Sequence, residues 1–214
     1  MAVQMAGATA ANIQEVDASF KASRSSLRPP EALGWFSLSG KSGLLTGLAA
    51  AAPVFALRNS GTNLLMVRRI GIGFLTTTLF TTAQIVDFQL QVARAFTVSD
   101  SAGTPIVMTG SNGKHRTSLP APTSMDARIA AAAALTAGTR TLDAVPISMQ
   151  AGWSGAAGQG IAPGTDNLFA HNASDYPLIL AANEGLVISA IAAFGALGGG
   201  NLYVNLEFAE STAF

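Results

Sequence analysis

The sequence predicts an all-β protein, an antiparallel β-sandwich of jelly-roll type with an extended N-terminal arm. Apolar and polar residues alternate with a period of two in several segments, and compact Gly/Asn/Asp turns separate those segments. No alternation of strands with helices appears. Many short strands with distant partners are typical of sandwiches and barrels, and one wetter face per strand favours antiparallel pairing. An immunoglobulin-like sandwich is the alternative fold.

The first 32 residues differ in composition from the rest. They are mixed and polar, contain "KASRSSLRPP", and end near Pro29-Pro30, which favours an extended backbone. We expect an N-terminal arm over residues 1–32, with a short helix near Asn12–Phe20, and a β-sandwich domain over residues 33–214. Because such a segment buries too little apolar surface to offset its ordering entropy, it is either flexible or laid along a partner. It shows no secretory-signal pattern.

Two segments carry the clearest strand signal. In "IVDFQLQVAR" the expected buried face consists of Val86, Phe88, Leu90 and Val92. In "NLYVNLEFAE" it consists of Leu202, Val204, Leu206 and Phe208. The residues between them, which include Asp87 and Glu207, are expected on a wetter face.

A third strand is predicted in "LLMVRRIGIGFL". Its pattern places Met66, Ile70, Ile72 and Phe74 on the face that also carries Arg68. Gly71 and Gly73 lie opposite, where a bulge or a close neighbour is expected. One of Arg68 and Arg69 is expected to pair with a carboxylate at the sheet surface or across a subunit interface.

The remaining predicted strands bring the set to eight or nine. They lie in "GWFSLSG", "PVFALRNSGTN", "AVPISMQAG", "YPLILAANEG" and "GLVISAIAAF". The segment of residues 126–140 is ambiguous, because its alanines favour helix, with Asp126 as N-cap and Gly138 just past the end. Its Thr-rich continuation is typical of strands, and a strand in or near it is the favoured interpretation.

Composition restricts the classes of function. Charged residues make up 11% and apolar residues 49% of the chain, and the formal net charge is zero. Because no basic stripe exists to neutralise phosphates, no nucleic-acid partner is expected. No apolar stretch is long enough for a spanning helix, so no membrane partner is expected. The chain has no cysteine, which excludes disulfides and thiolate sites. So neutral an exterior fits either an ordinary small-residue protein or, the favoured interpretation, a surface covered by neighbours in a homo-oligomer.

Candidate chemical residues are few. Asp166, His171 and Asp175 would form a metal or acid–base cluster if they converged, but side chains of this type more often shape turns. The other histidine, His115, lies between two cationic residues, which disfavours metal binding.

A glycosidase-type carboxylate pair has only Glu184, Glu207 and Glu210 as candidates. "GAAGQGIAPG" lacks the lysine of a phosphate loop, and "GALGGGN" leads into a strand rather than a helix. Trp35 and Trp153 are expected at a core edge or as interface anchors, with Trp153 at a loop tip or an interface. We therefore predict no catalytic, cofactor-binding or metal residues and no cofactor, and expect that the protein is not an enzyme.

The C-terminal third carries a resemblance. "DNLFAHNASDYPLILAANEGLVISAI", the following "NLYVNLEFAE", and the earlier "LTAGTRTLDAVPI" resemble structural proteins of tailed bacteriophages over roughly residues 50–210. The resemblance implies a capsid-associated cement (decoration) or minor head protein on the virion surface, made in the host cytoplasm. It also implies trimers of β-sandwich subunits, bound to the major capsid protein of the phage head, with an arm that clasps a neighbour.

Two other functions stay open from the sequence. A major capsid subunit of single-jelly-roll type would also be neutral and free of cysteine. A carbohydrate- or receptor-binding head domain is the other, since jelly rolls often bind sugars; Trp153 would then be the residue to test. An enzyme is the least favoured class.

Overall fold

The computed structural model describes residues 16–17, 22–23, 32–109, 113–115, 118, 120–154, 166–170 and 177–212. All regular secondary structure within these residues is β, so they contain no helix that could cross a membrane. The strands are β1 (Val16–Asp17), β2 (Ala22–Ser23), β3 (Ala32–Lys41), β4 (Pro53–Asn59), β5 (Leu64–Thr78), β6 (Gln84–Arg94), β7 (Gly103–Ile106), β8 (Met125–Ala130), β9 (Thr141–Leu142), β10 (Ser148–Ser154), β11 (Asp166–Ala170), β12 (Leu178–Leu180), β13 (Gly185–Ala190) and β14 (Gly199–Ser211).

Two antiparallel sheets pack face to face, and their strand order is that of a jelly roll. One sheet has the order β11-β5-β14-β3, with β12 also paired to β5; the other has the order β10-β6-β13-β4-β8-β7, with β9 also paired to β6. Strands β3 to β6 alternate between the two sheets. Strands β10 to β14 also alternate if β11 and β12, which pair with successive segments of β5, are taken as one strand. The predicted sandwich and its jelly-roll order are confirmed. The immunoglobulin-like alternative, which keeps several consecutive strands in one sheet, is wrong.

The core lies between the two sheets and follows the predicted alternation. The four apolar residues predicted to face inward on β6 are 0–4% exposed, and the four on β14 are 0–1% exposed. Phe36 stacks on Phe208 across the β3–β14 pair, with ring centroids 5.4 Å apart. At the other end of the core Phe194 meets the rings of Phe74, Phe80 and Phe88.

The predicted apolar face of β5 is right for three of its four residues and wrong for Met66. Ile70, Ile72 and Phe74 face the core, but Val67 joins them there instead of Met66. The ladder shows the reason: Glu207 of β14 pairs with Arg69 and Phe208 with Val67, so Arg68 is an extra residue. A bulge reverses the inside–outside phase of every residue before it.

The ambiguous segment is not helical. Met125–Ala130 forms β8, which pairs with β4 and β7, and an irregular stretch leads from there to β9. The favoured strand is confirmed, and the alternative helix capped by Asp126 and Gly138 is wrong. The edge of β4 offers Met125–Ala130 a strand to pair with. This pairing outweighs the preference of the alanines in the segment for helix.

The N-terminal segment is described only in part. Most of the helix predicted near Asn12–Phe20 lies outside the described residues. Val16–Asp17 forms a two-residue strand paired with Ala22–Ser23, so no helix runs through Val16 and Asp17. Ala32 begins β3, next to the predicted domain boundary. The extended arm itself stays a prediction.

Two irregular stretches cover the outer face of the larger sheet. Residues 95–102 and 131–140 are joined by backbone hydrogen bonds from Thr97 N to Thr139 O (3.0 Å) and from Ser101 N to Thr136 O (2.9 Å). Under them lies a second, smaller core that includes Phe96 and Leu135. The central strands of this sheet are therefore buried on both faces, which explains why Gln91 is only 9% exposed.

Candidate interaction face

The outer face of β3, β14 and β5, here called the ladder face, carries side chains that are paired across strands. Alternation along β3 points Trp35, Ser37, Ser39 and Lys41 outward. The antiparallel register places Lys41 beside Tyr203 of β14, with the ammonium 5.7 Å from the ring centroid. Such cation–π contacts at exposed sites are worth about 0.5–1 kcal/mol.

Arg68 and Arg69 both belong to this face. The bulge turns Arg68 toward Trp35, and its guanidinium carbon lies 5.8 Å from the ring centroid. Arg69 pairs with Glu207 on β14 at 2.9 Å, which confirms the predicted pairing of one arginine with a surface carboxylate. On the ladder face the cationic side chains Lys41, Arg68 and Arg69 outnumber the carboxylate of Glu207. The face therefore has an excess of positive charge.

Ser37 and His115 form a hydrogen-bonded pair on the ladder face. The Ser37 Oγ lies 2.6 Å from His115 Nε2, the distance of a nucleophile and its base. Hydrolysis would also require a group that orients the imidazole and donors for an oxyanion. The carboxylate opposite Ser37 in the ladder is Glu207, and Arg69 already engages it.

Around the Ser37–His115 pair, backbone hydrogen bonds hold residues 113–115 against β3. Ser37 N donates to Gly113 O at 2.6 Å, and His115 N donates to Trp35 O at 3.0 Å. Residues 113–115 therefore extend the sheet beyond β3 and cover its edge, which would otherwise expose unpaired backbone groups.

The candidate cluster of Asp166, His171 and Asp175 lies mostly outside the described residues. His171 and Asp175 lie outside the described residues, as does the turn predicted there, and Asp166 is placed only by its backbone, opposite Ile72 at the start of β11. No group of three or more His, Cys, Asp or Glu side chains that could bind a metal occurs among the described residues.

Each candidate carboxylate has a partner that stabilises the fold. Glu184 lies in the turn before β13, where it binds Arg94 and accepts from Ala181 N at 2.9 Å. The hydrogen bond to Asp143, followed by the one to Glu184, raises the pKa of Arg94 above its ordinary value. Glu207 lies on the other sheet from Glu184, where Arg69 of the neighbouring strand β5 holds it, so these two carboxylates do not face a common cleft.

Glu210 is the most deeply buried of the three, at 2% exposure. Its carboxylate accepts hydrogen bonds from Asn63 Nδ2 (2.8 Å), from Thr123 N and Oγ1 (3.1 Å each), and from Ser124 N (3.1 Å). It therefore joins the end of β14 to the β4–β5 connection and to the residues before β8.

We expect Glu210→Gln to lower the free energy of unfolding by about 1–3 kcal/mol, because the amide nitrogen faces buried N–H and O–H donors that lose an acceptor. Glu207→Gln is the matched control on an exposed ion pair and should cost at most about 1 kcal/mol. Urea unfolding of both variants checks the difference. Equal losses would contradict the role assigned to Glu210.

The other predicted features have mixed outcomes. "GALGGGN" runs into β14 at Gly199, as predicted, whereas "GAAGQGIAPG" lies outside the described residues. Trp153 lies within β10 opposite Ile85, so its placement at a loop tip is wrong. Its role as an interface anchor stays a prediction.

Sequence reasoning missed the buried pair of Asp100 and Arg140 in the covering stretches. The two side chains are in direct contact and are 0% and 4% exposed, and Arg140 also lies 5.1 Å from the centroid of the Phe96 ring. No signal in the sequence marks them, because they are 40 residues apart and meet only once the covering stretches are paired.

Comparison with known proteins gives no relative. No family model, no curated protein and no solved structure matches this chain.

Proposed function

We propose that this chain is a structural protein of a tailed-bacteriophage virion. It acts as a cement or decoration protein that binds the major capsid protein of the head as an oligomer, with a trimer favoured, through β-sandwich contacts and through an N-terminal arm, residues 1–32, that clamps the shell. The observation that carries the proposal is the ladder face. Its aromatic and charged side chains are fixed in cross-strand pairs on a sheet, which suits adhesion to another surface better than turnover of a small molecule.

The charges of the described residues support the same proposal. Glu184, Glu207 and Glu210 each hold a structural contact, so none of them is left as a spare acid or base. Adhesion by a rigid face needs no such group. Individually modest contacts, repeated over an oligomer, add up to tight attachment.

The experiment compares the full chain with a truncated chain that begins at Glu31. Because β3 begins at Ala32, the truncation leaves every strand of the two large sheets intact. We expect the truncated protein to keep its melting temperature within about 2 °C, since surface segments away from the core contribute little. We expect it to bind purified phage head shells at least about tenfold more weakly, a loss of about 1.4 kcal/mol. Equal binding by both proteins would refute the clamping arm.

The strand order favours a second candidate, a major capsid subunit of single-jelly-roll type, because viral capsid domains use this fold. Electron microscopy of the purified protein separates the two. Closed shells formed by this chain alone would establish the capsid subunit, and binding only to preformed shells would establish the decoration protein.

A further inference from the structure

At one end of the sandwich the described connections between strands contain no charged residue. Here three connections meet: residues 42–52 between β3 and β4, residues 79–83 between β5 and β6, and residues 191–198 between β13 and β14. No Asp, Glu, Lys, Arg or His occurs from Ser42 to Leu57 or from Ile70 to Val86, and none from Gly185 to Leu206. We call these three connections, with the adjoining strand ends 75–78 and 84–85, the uncharged end.

Backbone hydrogen bonds join the three connections into one surface. Gly47 N donates to Gly195 O at 3.3 Å, and Phe194 N donates to Leu48 O at 2.8 Å. Thr81 N donates to Leu197 O at 3.2 Å. Gly198 has a φ of +133°, and a Cβ there would lie 2.5 Å from the Cα of Phe80, so the connections touch at backbone level. This surface is ordered before any partner arrives, which lowers the entropy cost of binding.

Large apolar side chains project from this surface. Leu197 is 69%, Leu79 49% and Leu44 42% exposed. About two dozen residues of the uncharged end are partly or fully exposed, and one side of a standard protein interface uses about 20–30 residues. The uncharged end is therefore large enough to form a specific contact.

We propose that the uncharged end is the surface through which copies of this chain contact one another. In a contact between copies the same patch, or adjoining parts of it, come together around a symmetry axis. A patch with a net charge would then face its own sign, whereas the three connections bring no charge of their own. The nearby carboxylate of Asp87 accepts a hydrogen bond from Ala192 N at 2.8 Å, so it is not left unpaired. The centre of a protein interface is likewise depleted of charged residues.

The same residues argue against other occupants. Proteins that lie on a lipid surface combine exposed apolar side chains with lysine and arginine, but the uncharged end has no cation. A charged partner would bury its charges here without a counterion. The ladder face, which is basic and lies around the side of the sandwich, stays free for the head shell.

This inference adds a contact surface to the proposed oligomer. It rests on the oligomeric part of the proposed function and on no other part. The test is the double variant Leu79→Asp with Leu197→Asp in the full chain, compared with Val107→Asp. Val107 follows β7 toward the opposite end and is 66% exposed, so it matches Leu197 in exposure. Sedimentation velocity over a concentration series gives the association constant, and circular dichroism shows that each variant is folded.

We expect the wild-type protein and Val107→Asp to associate equally, and the double variant to associate at least about tenfold more weakly because carboxylates now face each other. The inference is overturned if the double variant associates like the wild type, or if the wild type is monomeric up to about 100 μM. It is also overturned if the wild-type protein stays monomeric and binds phosphatidylcholine vesicles, and the double variant does not bind them. Binding to head shells, measured in parallel, reports on the proposed function separately.

Discussion

Arg140→Ala is expected to lower the free energy of unfolding by about 3–5 kcal/mol, because it leaves the carboxylate of Asp100 buried without its cation. Asp100 is fully buried, and its other described contact is a hydrogen bond accepted from Gly138 N at 2.9 Å. Burial lowers the pKa of Arg140 from its ordinary value, but a guanidinium stays protonated in proteins. The wild-type pair is therefore ionic, and the variant retains one charge in an apolar setting.

The loss should extend to the cover of the larger sheet. Arg140 packs on the ring of Phe96, which belongs to the small core beneath residues 95–102 and 131–140. When the side chain is removed, these covering stretches lose both an ion pair and a packing contact. Hydrogen exchange of the Thr97 and Thr136 amides, which bond across the cover, should quicken more than exchange in β14.

Arg94→Ala is the matched control. Arg94 also pairs with two carboxylates, Asp143 and Glu184, but its side chain is 48% exposed, so its removal should cost at most about 1 kcal/mol. Replacing both buried partners, with Arg140→Met and Asp100→Leu together, should recover most of the loss, because well-packed apolar residues often substitute for a buried ion pair. Similar losses for Arg140→Ala and Arg94→Ala in urea unfolding would refute this account.

The elements that could be predicted are those whose pattern is local. Alternation alone identified β6 and β14, because each has one face on the core and the period of two survives along its whole length. Met66 was misassigned because the bulge at Arg68 arises from how β5 pairs with β14. Nothing in the residues of β5 itself marks the position where the phase changes.

The candidate surfaces could not be predicted, for a related reason. Trp35 meets Arg68, and Ser37 meets His115, through strand register and through a segment added to the edge of β3. The uncharged end arises because the strand order brings three of the described connections to one end of the sandwich. Each connection alone looks like an ordinary loop rich in small residues, and only the topology makes them one surface.

Phe194→Ala should also lower the free energy of unfolding by about 3–5 kcal/mol, because it opens a cavity at the centre of an aromatic cluster. The Phe194 ring centroid lies 5.8 Å from those of Phe74 and Phe88 and 6.4 Å from that of Phe80. For a protein of this size the melting temperature should fall by roughly 10 °C. Phe194→Leu, which keeps most of the volume, should cost only about 1–2 kcal/mol.

The same substitution should weaken contact between copies, because the ring supports the uncharged end from below. Phe194 N bonds to Leu48 O, and Phe80 packs under Gly198, so a cavity here loosens all three connections. Phe36→Ala is the control: it removes an equally buried ring that stacks on Phe208, away from that end. If both variants lose stability alike but only Phe194→Ala associates more weakly below its melting transition, the cluster preorganises the contact surface. Equal association by the two variants would show instead that the rings serve stability alone.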